Sequence, residues 1–220
     1  MALTADTRSL VLNGATLGPS SAGDLAIFEG RRCVAHVAIE GLGATASLAA
    51  HCRDFFKMPG WHQGPELIIA VIGPGSFTGL RASLALANGL ALGFGAQLRG
   101  VTTGACFRTR QDLESAICLT QARRDRLFVE WADGSFWAGS PDAFLSRQGA
   151  GREGPLVGNG VAMLAGHTVP SGAFETARPD IHMILEAGLV TADSAMLEPL
   201  YIDAPEAKLP ARGLRPAPQG

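Results

Sequence analysis

Residues 66–81 constrain the fold of this chain more than any other segment. Residues 66–72 contain the unbroken apolar run LIIAVI, which is typical of a strand covered on both faces. A glycine-rich turn follows at once, and residues 78–95 then have the apolar spacing of a long helix. A buried strand, a tight turn and a helix in this order predict an α/β protein.

Apolar periodicity divides the chain into two similar halves. The first has the predicted order β-β-β-α-β-α-β, with elements at residues 9–13, 24–29, 33–39, 44–56, 66–72, 78–95 and 97–101. The second has predicted strands at 116–120, 126–132, 135–138 and 155–157, and predicted helices at 141–147, 161–164 and 180–187. We therefore predict a duplicated unit, three antiparallel strands followed by alternating helices and strands, with a degenerate second copy.

The turn at residues 73–81 reads GPGSFTGLR. Gly73 and Gly75 permit backbone angles that other residues avoid, and Ser76 and Thr78 are candidate caps for the helix. The turn is compatible with a structural role, with an anion bound at the helix N-terminus, or with Ser76 as a nucleophile. Its spacing matches neither the dinucleotide fingerprint nor the P-loop. The residues alone favour a structural turn and leave an anion site open; the candidate residues are Gly73, Gly75, Ser76, Thr78, Gly79 and Arg81.

The run GPGSFTGLR, followed by a helix that ends GLALG at residues 89–93, closely resembles the TsaB (YeaZ) family. Residues 9–16 are similar to a worn form of that family's opening strand, residues 155–160 to its V-G-x-G turn, and residues 198–208 to its closing motif. The resemblance implies a duplicated ribonuclease-H-like architecture of the actin-like ATPase (ASKHA) type. Its halves would span 1–102 and 103–204, the last helix can pack back on the first half, and 205–220 would be a flexible tail.

Members of that family are subunits of the bacterial machinery that makes threonylcarbamoyladenosine on tRNA. The resemblance therefore implies a cytoplasmic, non-catalytic subunit that binds and supports a TsaD-like catalytic subunit. It also implies a TsaE-like ATPase as a partner, tRNA contact only through the complex, and no cofactor held by this chain. Without its partner, the same surface could form a homodimer.

Two departures from the family pattern are informative. Asn13-Gly14 stands where the family has Asp-Thr, and in the wider ATPase fold that carboxylate helps to hold magnesium and phosphate. We expect a degenerate nucleotide loop at Asn13, Gly14 and Thr16, with weak or no binding of magnesium-ATP. Asp203 stands where the family tends to have Arg, which weakens the expectation of a tRNA or partner contact by that residue.

The sequence predicts neither a catalytic residue nor a metal site. TsaD-like relatives carry H-x-x-x-H, whereas no two of the five histidines here are three, four or five residues apart, and no cysteines form a C-x-x-C pair. Two enzyme classes remain as alternatives. One is an ATP-using enzyme of the actin-like superfamily, against which Asn13 argues. The other is a glycoprotease-like peptidase with Ser76 as nucleophile and His182 as base.

The helix that follows the turn has two unlike faces. One carries bulky side chains suited to a core, at Leu80, Leu84, Ala87, Leu90, Ala91 and Phe94. The other is a stripe of small residues at four-residue spacing, Ala85, Gly89 and Gly93, which would let a second helix approach closely. We expect this stripe to form a partner or dimer interface; the alternative is packing inside the chain's own domain.

Net charge and hydropathy argue against two classes of protein: one that binds nucleic acid unaided and one that spans a membrane. A protein that binds nucleic acid unaided usually has a basic excess, whereas this chain has a net charge of −2. We interpret the basic clusters at 108–110, 123–126 and 208–215 as solvent-exposed surface or flexible chain ends. The uncharged segment 82–98 is short and rich in Ala and Gly, so we expect burial in a globular fold and no membrane span.

Overall fold

The computed structural model describes residues 4, 6–17, 22–40, 43–123, 125–147, 153–166 and 177–203. The first part of the chain contains β1 (Arg8–Asn13), β2 (Gly23–Glu29), β3 (Arg32–Ile39), α1 (Ala44–Phe55), β4 (Leu67–Gly73), α2 (Phe77–Phe94) and β5 (Gln97–Thr102). The second contains α3 (Thr103–Phe107), β6 (Ile117–Arg123), β7 (Arg126–Glu130), β8 (Phe136–Gly139), α4 (Pro141–Leu145), β9 (Leu156–Val157) and α5 (Ile181–Val190). Two 3-10 turns lie at Gln111–Leu113 and Asn159–Leu164.

The first sheet has the strand order β3-β2-β1-β4-β5. Its β1, β2 and β3 are antiparallel neighbours, and β1, β4 and β5 run parallel. Val11 of β1 lies opposite Ala26 of β2 and beside Ile69 of β4, so all three side chains point to one face. The predicted order of three antiparallel strands followed by alternating helices and strands is confirmed for this half.

Strand β4 is covered on both faces, as its apolar run predicts. Ile69 and its alternate neighbours pack in a core with α3 and α5, while Ile68 and Ala70 pack in a second core with α1 and α2. Gly188 of α5 lies directly on Ile69, where an ideal Cβ would come within 2.7 Å of Ile69 Cγ1. The last helix therefore packs on the first sheet.

The second sheet has the order β8-β7-β6-β9. Its β6, β7 and β8 are antiparallel, and β6 and β9 are parallel, which is the arrangement of β1, β2, β3 and β4 in the first sheet. Within the described ranges this sheet has four strands. A third core forms on one face, where Phe144 of α4 and Leu164 meet Leu119 and Leu127 of the sheet.

A buried carboxylate joins the two sheets. Glu130, at the end of β7, is 1% exposed. It accepts hydrogen bonds from the Gly104 backbone N–H (2.8 Å), from Thr102 Oγ1 (2.5 Å) and from the Arg108 guanidinium (2.5 Å). All three donors lie in or beside α3, the short helix between the sheets. Glu130 therefore fixes the position of the end of β7 relative to α3.

The main differences from the predicted elements concern α3, residues 161–164 and the last helix. Helix α3 was not predicted, and residues 161–164 form part of a 3-10 turn, not an α-helix. The last helix begins at Ile181, because Asp180 is its N-cap and accepts from the backbone N–H groups of His182 and Met183. The predicted tail at 205–220 lies outside the described residues.

The long uncharged segment at 82–98 belongs to α2 and the start of β5. Across the residues that the structure describes, no helix has both the length and the apolar character needed to span a membrane.

Candidate functional site

The glycine-rich turn lies between β4 and α2 and supplies the N-cap residue of the helix. Gly73 has a φ of 126°, which favours glycine, as predicted. Ser76 is the N-cap of α2, and its Oγ accepts a hydrogen bond from the Gly79 backbone N–H at 3.3 Å. The prediction that Ser76 caps the helix is confirmed. The prediction for Thr78 is wrong, because Thr78 lies inside the first turn and is exposed.

The loop after β1 is clasped against this turn. The Ser76 backbone N–H donates to the Ala15 carbonyl oxygen at 2.6 Å. An ideal Cβ on Gly75 would lie 2.7 Å from Ala15 Cα, and one on Gly79 would lie 2.8 Å from Leu17 Cβ. The backbone of the loop contacts the backbone of the turn here because Gly75 and Gly79 have no side chains. We call this arrangement the loop clasp.

The loop clasp and the helix cap engage two backbone N–H groups at the start of α2. A phosphate at the start of a helix is held by free backbone N–H groups. In α2, Ala15 accepts from the Ser76 N–H, and the Ser76 side chain accepts from the Gly79 N–H. The geometry favours the structural interpretation of the turn over the anion site that the sequence left open.

The residues of the predicted degenerate nucleotide loop make contacts within that loop and with α2. Asn13 is 1% exposed, and its Oδ1 accepts from the Ala15 backbone N–H at 3.1 Å. Gly14 packs on α2, where an ideal Cβ would lie 2.8 Å from Ser83 Cβ. Thr16 Oγ1 donates to the Ala22 carbonyl oxygen at 2.6 Å, which closes the loop on itself.

A carboxylate does lie beside Asn13, on the neighbouring strand. Asp24 of β2 is paired with Asn13 in the sheet register and is 3% exposed. Its Oδ1 lies 2.9 Å from His36 Nε2, and its Oδ2 lies 3.0 Å from Arg178 Nε. Both oxygens thus have cationic or imidazole neighbours. The sequence analysis missed this cluster, since its members are 12 and 154 residues apart along the chain.

The outward face of α2 is the second candidate site. Ala85, Gly89 and Gly93 are exposed. An ideal Cβ on Gly89 or Gly93 would meet no described atom within 4 Å, so the small stripe does not pack inside its own domain. Leu92 extends from the same side and is 89% exposed.

The opposite face of α2 forms part of the core. Leu80, Leu84, Ala87 and Ala91 are buried against the first sheet, as predicted. The bulky stripe ends earlier than expected, because Leu90 is half-buried and Phe94 is 40% exposed, where it packs edge-on against Phe56 of α1.

The closing segment after α5 runs back along α2 to the glycine-rich turn. Asn88 binds it with two hydrogen bonds of 2.9 Å, donating to the Leu197 carbonyl and accepting from the Leu197 N–H. Leu200 N–H donates to the Ile72 carbonyl at 2.8 Å. Tyr201 then packs on Phe77, the first residue of α2, with ring centroids 5.7 Å apart.

The structure brings Ser76 and His182 to different places. Ser76 caps α2, whereas His182 packs edge-on against Phe28 of β2, with ring centroids 5.2 Å apart. In the described part of the chain no hydrogen bond links the two side chains. The same residues contain no group of three or more His, Cys, Asp or Glu side chains that could hold a metal ion.

No protein-family model matches the sequence, and no curated protein is significantly similar to it. Solved structures do match. YeaZ from Pseudomonas aeruginosa has a TM-score of 0.70 and 20% identity, over 89% of this chain and 100% of that chain. A second structure, of an uncharacterized protein with similarity to peptidase YeaZ from Pseudomonas aeruginosa, has a TM-score of 0.70 and 18% identity, over 90% of this chain and 100% of that chain.

At these identities the match shows the fold. The chain shares its fold with these structures, and that fold is mixed α/β, as predicted. The structures carry the name of the family that the GPGSFTGLR run resembles.

Proposed function

We propose that this chain is a TsaB (YeaZ) family subunit of the bacterial machinery that makes threonylcarbamoyladenosine on tRNA. In this role it performs no chemistry. It binds and supports a TsaD-like catalytic subunit in the cytoplasm, in a complex that also contains a TsaE-like ATPase. Through that complex it acts on tRNA. Two sources support the family: the GPGSFTGLR run and the fold shared with the YeaZ structure.

One observation carries the partner-binding part of the proposal. The stripe of Ala85, Gly89 and Gly93 lies open on a helix whose opposite face is core. An exposed glycine in a helix costs about 1 kcal/mol relative to alanine, so two glycines at this spacing are unfavourable in an isolated monomer. A partner helix that packs closely on the stripe would offset that cost. The proposal extends to a homodimer on the same surface in the absence of the partner.

The non-catalytic part of the proposal is supported by the loop clasp. Of the residues that would hold a nucleotide in an actin-like ATPase, Asn13 accepts from Ala15 of its own loop and Gly14 packs against α2. Conversely, the peptidase alternative requires Ser76 to act as a nucleophile, whereas its Oγ serves as the helix cap. The ATPase and peptidase alternatives are therefore both disfavoured.

The experiment is co-purification and reconstitution. The chain should co-purify with the TsaD-like subunit of the same organism. Threonylcarbamoyladenosine formation on tRNA should require both proteins, and each alone should give none. A serine-reactive probe should leave Ser76 unlabelled. Modification activity from this chain alone, or labelling of Ser76, would show that the chain is an enzyme.

A further inference from the structure

Two bulky apolar side chains are exposed to solvent beside the small stripe. Leu92 of α2 is 89% exposed, and Met196 of the closing segment is 60% exposed. Leu92 is adjacent to Gly93 and three residues after Gly89, so it borders the stripe along the helix. Single exposed leucines are normal in soluble proteins, whereas a group of exposed apolar residues with a polar rim marks a surface that another protein covers.

The closing segment brings Met196 to the same flank of α2 as Leu92. The side chain of Asn88 forms two hydrogen bonds of 2.9 Å with the backbone of Leu197, the residue after Met196. Asn88 and Leu92 are four residues apart, so their side chains lie on the same side of α2, one turn from each other. Met196 is therefore one residue away from a point fixed on this flank. We call Leu92 and Met196 the apolar pair.

The backbone that carries Met196 is anchored on both sides. Before it, the Ser194 N–H donates to the Leu98 carbonyl oxygen of β5 at 2.8 Å. After it, Leu197 is held by Asn88 and is 5% exposed, with its side chain in the core of the first sheet. A side chain on an ordered backbone loses less conformational entropy when a partner binds it.

Charged residues border the apolar pair without interrupting it. On α2 and the start of β5, residues 82–98 contain no charged side chain. In the closing segment, Asp193 and Glu198 lie on either side of Met196, and Asp193 is paired with Arg99 at 2.8 Å. An apolar centre with a polar rim is the usual anatomy of a protein–protein interface.

The small stripe needs bulky neighbours to form a stable interface. An interface buries about 800 Å² per partner, and a few bulky side chains near its centre supply most of the binding free energy. Ala85, Gly89 and Gly93 allow a close approach but have no bulky side chain of their own. The apolar pair lies at the edge of the stripe and supplies what the stripe lacks.

On the premise of the proposed function, we propose that Leu92 and Met196 are apolar anchors that the TsaD-like subunit covers when its helix packs on the small stripe. The covering surface of the partner is apolar, because a charged side chain opposite the pair would lose its water without gaining a counter-charge. The stripe sets how closely the partner helix approaches, and the pair supplies much of the affinity.

Titration calorimetry with the purified TsaD-like subunit of the same organism tests this role. Met196→Ala and Leu92→Ala should each weaken association about tenfold, because each removes a bulky apolar contact. Met196→Leu, which conserves apolar volume, should bind like wild type. All variants should keep the melting temperature of the wild-type monomer, since both side chains are exposed in it.

Val190→Ala is the matched control. Val190 is 88% exposed at the end of α5, which packs on the opposite face of the first sheet from α2. This variant should bind the TsaD-like subunit like wild type. A loss of affinity as large as that of Met196→Ala would show that any truncated surface residue weakens binding, and would overturn the anchor role.

The remaining outcomes separate the anchor role from the proposed function. Wild-type association that neither Met196→Ala nor Leu92→Ala weakens would overturn the anchor role and leave the proposed function intact. Absence of wild-type association would overturn both. Analytical ultracentrifugation of the chain alone tests a second copy as the occupant. A Met196→Ala variant that breaks a homodimer but binds the TsaD-like subunit like wild type would contradict the proposal.

Discussion

The Ser76 backbone N–H donates to the Ala15 carbonyl oxygen at 2.6 Å, across 61 residues of sequence. This bond joins the loop after β1 to the first turn of α2. It explains why the glycine-rich turn is glycine-rich: Gly75 and Gly79 are the positions at which the two backbones touch. The turn therefore fixes the position of α2, and with it the outward stripe that we propose as the partner surface.

Gly79→Ala tests the loop clasp through stability. The added Cβ would press on Leu17 and on the Gly14 carbonyl, so we expect a loss of about 1–3 kcal/mol in the free energy of unfolding. Gly93→Ala is the matched control, since Gly93 has open space and the same helix gains up to about 1 kcal/mol from alanine. Urea denaturation measures both. Equal stability of the two variants would show that the loop does not press on the turn.

Magnesium-ATP should leave the melting temperature of the chain unchanged. The N–H group of Ser76 is bonded to Ala15, and the neighbouring Asp24 carboxylate faces His36 and Arg178. Calorimetry should give no dissociation constant in the micromolar range, which corresponds to about −8 kcal/mol. A saturable rise in melting temperature with magnesium-ATP would restore the ATP-using alternative.

Glu130→Ala should destabilise the chain strongly. The carboxylate is buried and holds Arg108, whose side chain is 14% exposed, together with the start of α3. Removal of one partner of such a pair costs about 3–5 kcal/mol, because the remaining charge stays buried. Asp112→Ala, which breaks an exposed pair with Arg110, should cost far less stability than Glu130→Ala. Thermal and urea unfolding compare the two, and similar losses would argue against a buried junction.

The ion pair of Glu186 with Arg31 should contribute stability only above acidic pH. A hydrogen bond from Arg31 lowers the pKa of Glu186 below its ordinary value of 4.5. A carboxyl group with a lowered pKa in the folded state stabilises that state above the ordinary pKa and loses this contribution as pH falls.

Glu186→Gln should therefore be less stable than wild type near pH 7, by no more than about 1 kcal/mol because the pair is partly exposed. The difference should shrink as the pH falls from 7 to below 4.5. Urea unfolding across this range measures it, and a difference that grows as the solution is acidified would contradict the assignment.

Local sequence signals predicted most of the strands and helices. The short apolar strands β1 and β2 and the apolar run of β4 survive in the structure because their side chains pack in the cores on either face of the first sheet. Helix α3 could not be predicted in the same way. It has only five residues, and it is held by Glu130 from a strand far along the chain.

The candidate site was only partly predictable. Glycines at 14, 75 and 79 indicate close backbone contact, but the sequence does not say which segments touch. The contacts of Tyr201 with Phe77 and of Asp203 with Arg126 join residues more than seventy positions apart. Such pairs depend on how the closing segment runs along α2, and no local pattern encodes that path.

The most direct test of the partner surface is association of a Gly89→Leu variant with the TsaD-like subunit, measured by analytical ultracentrifugation. A leucine on the stripe would hold two helices apart, and an interface of about 800 Å² per partner cannot absorb the shift. Ala143→Leu on α4 is the control, because it places a leucine at an exposed helical position away from the stripe.

We predict that Gly89→Leu abolishes association with the TsaD-like subunit and that Ala143→Leu leaves it intact. Each variant should remain folded as an isolated monomer. The Gly89→Leu monomer should melt no lower than wild type, since leucine is the better helix former at an open position. A Gly89→Leu variant that binds the TsaD-like subunit as tightly as wild type would contradict the proposed interface.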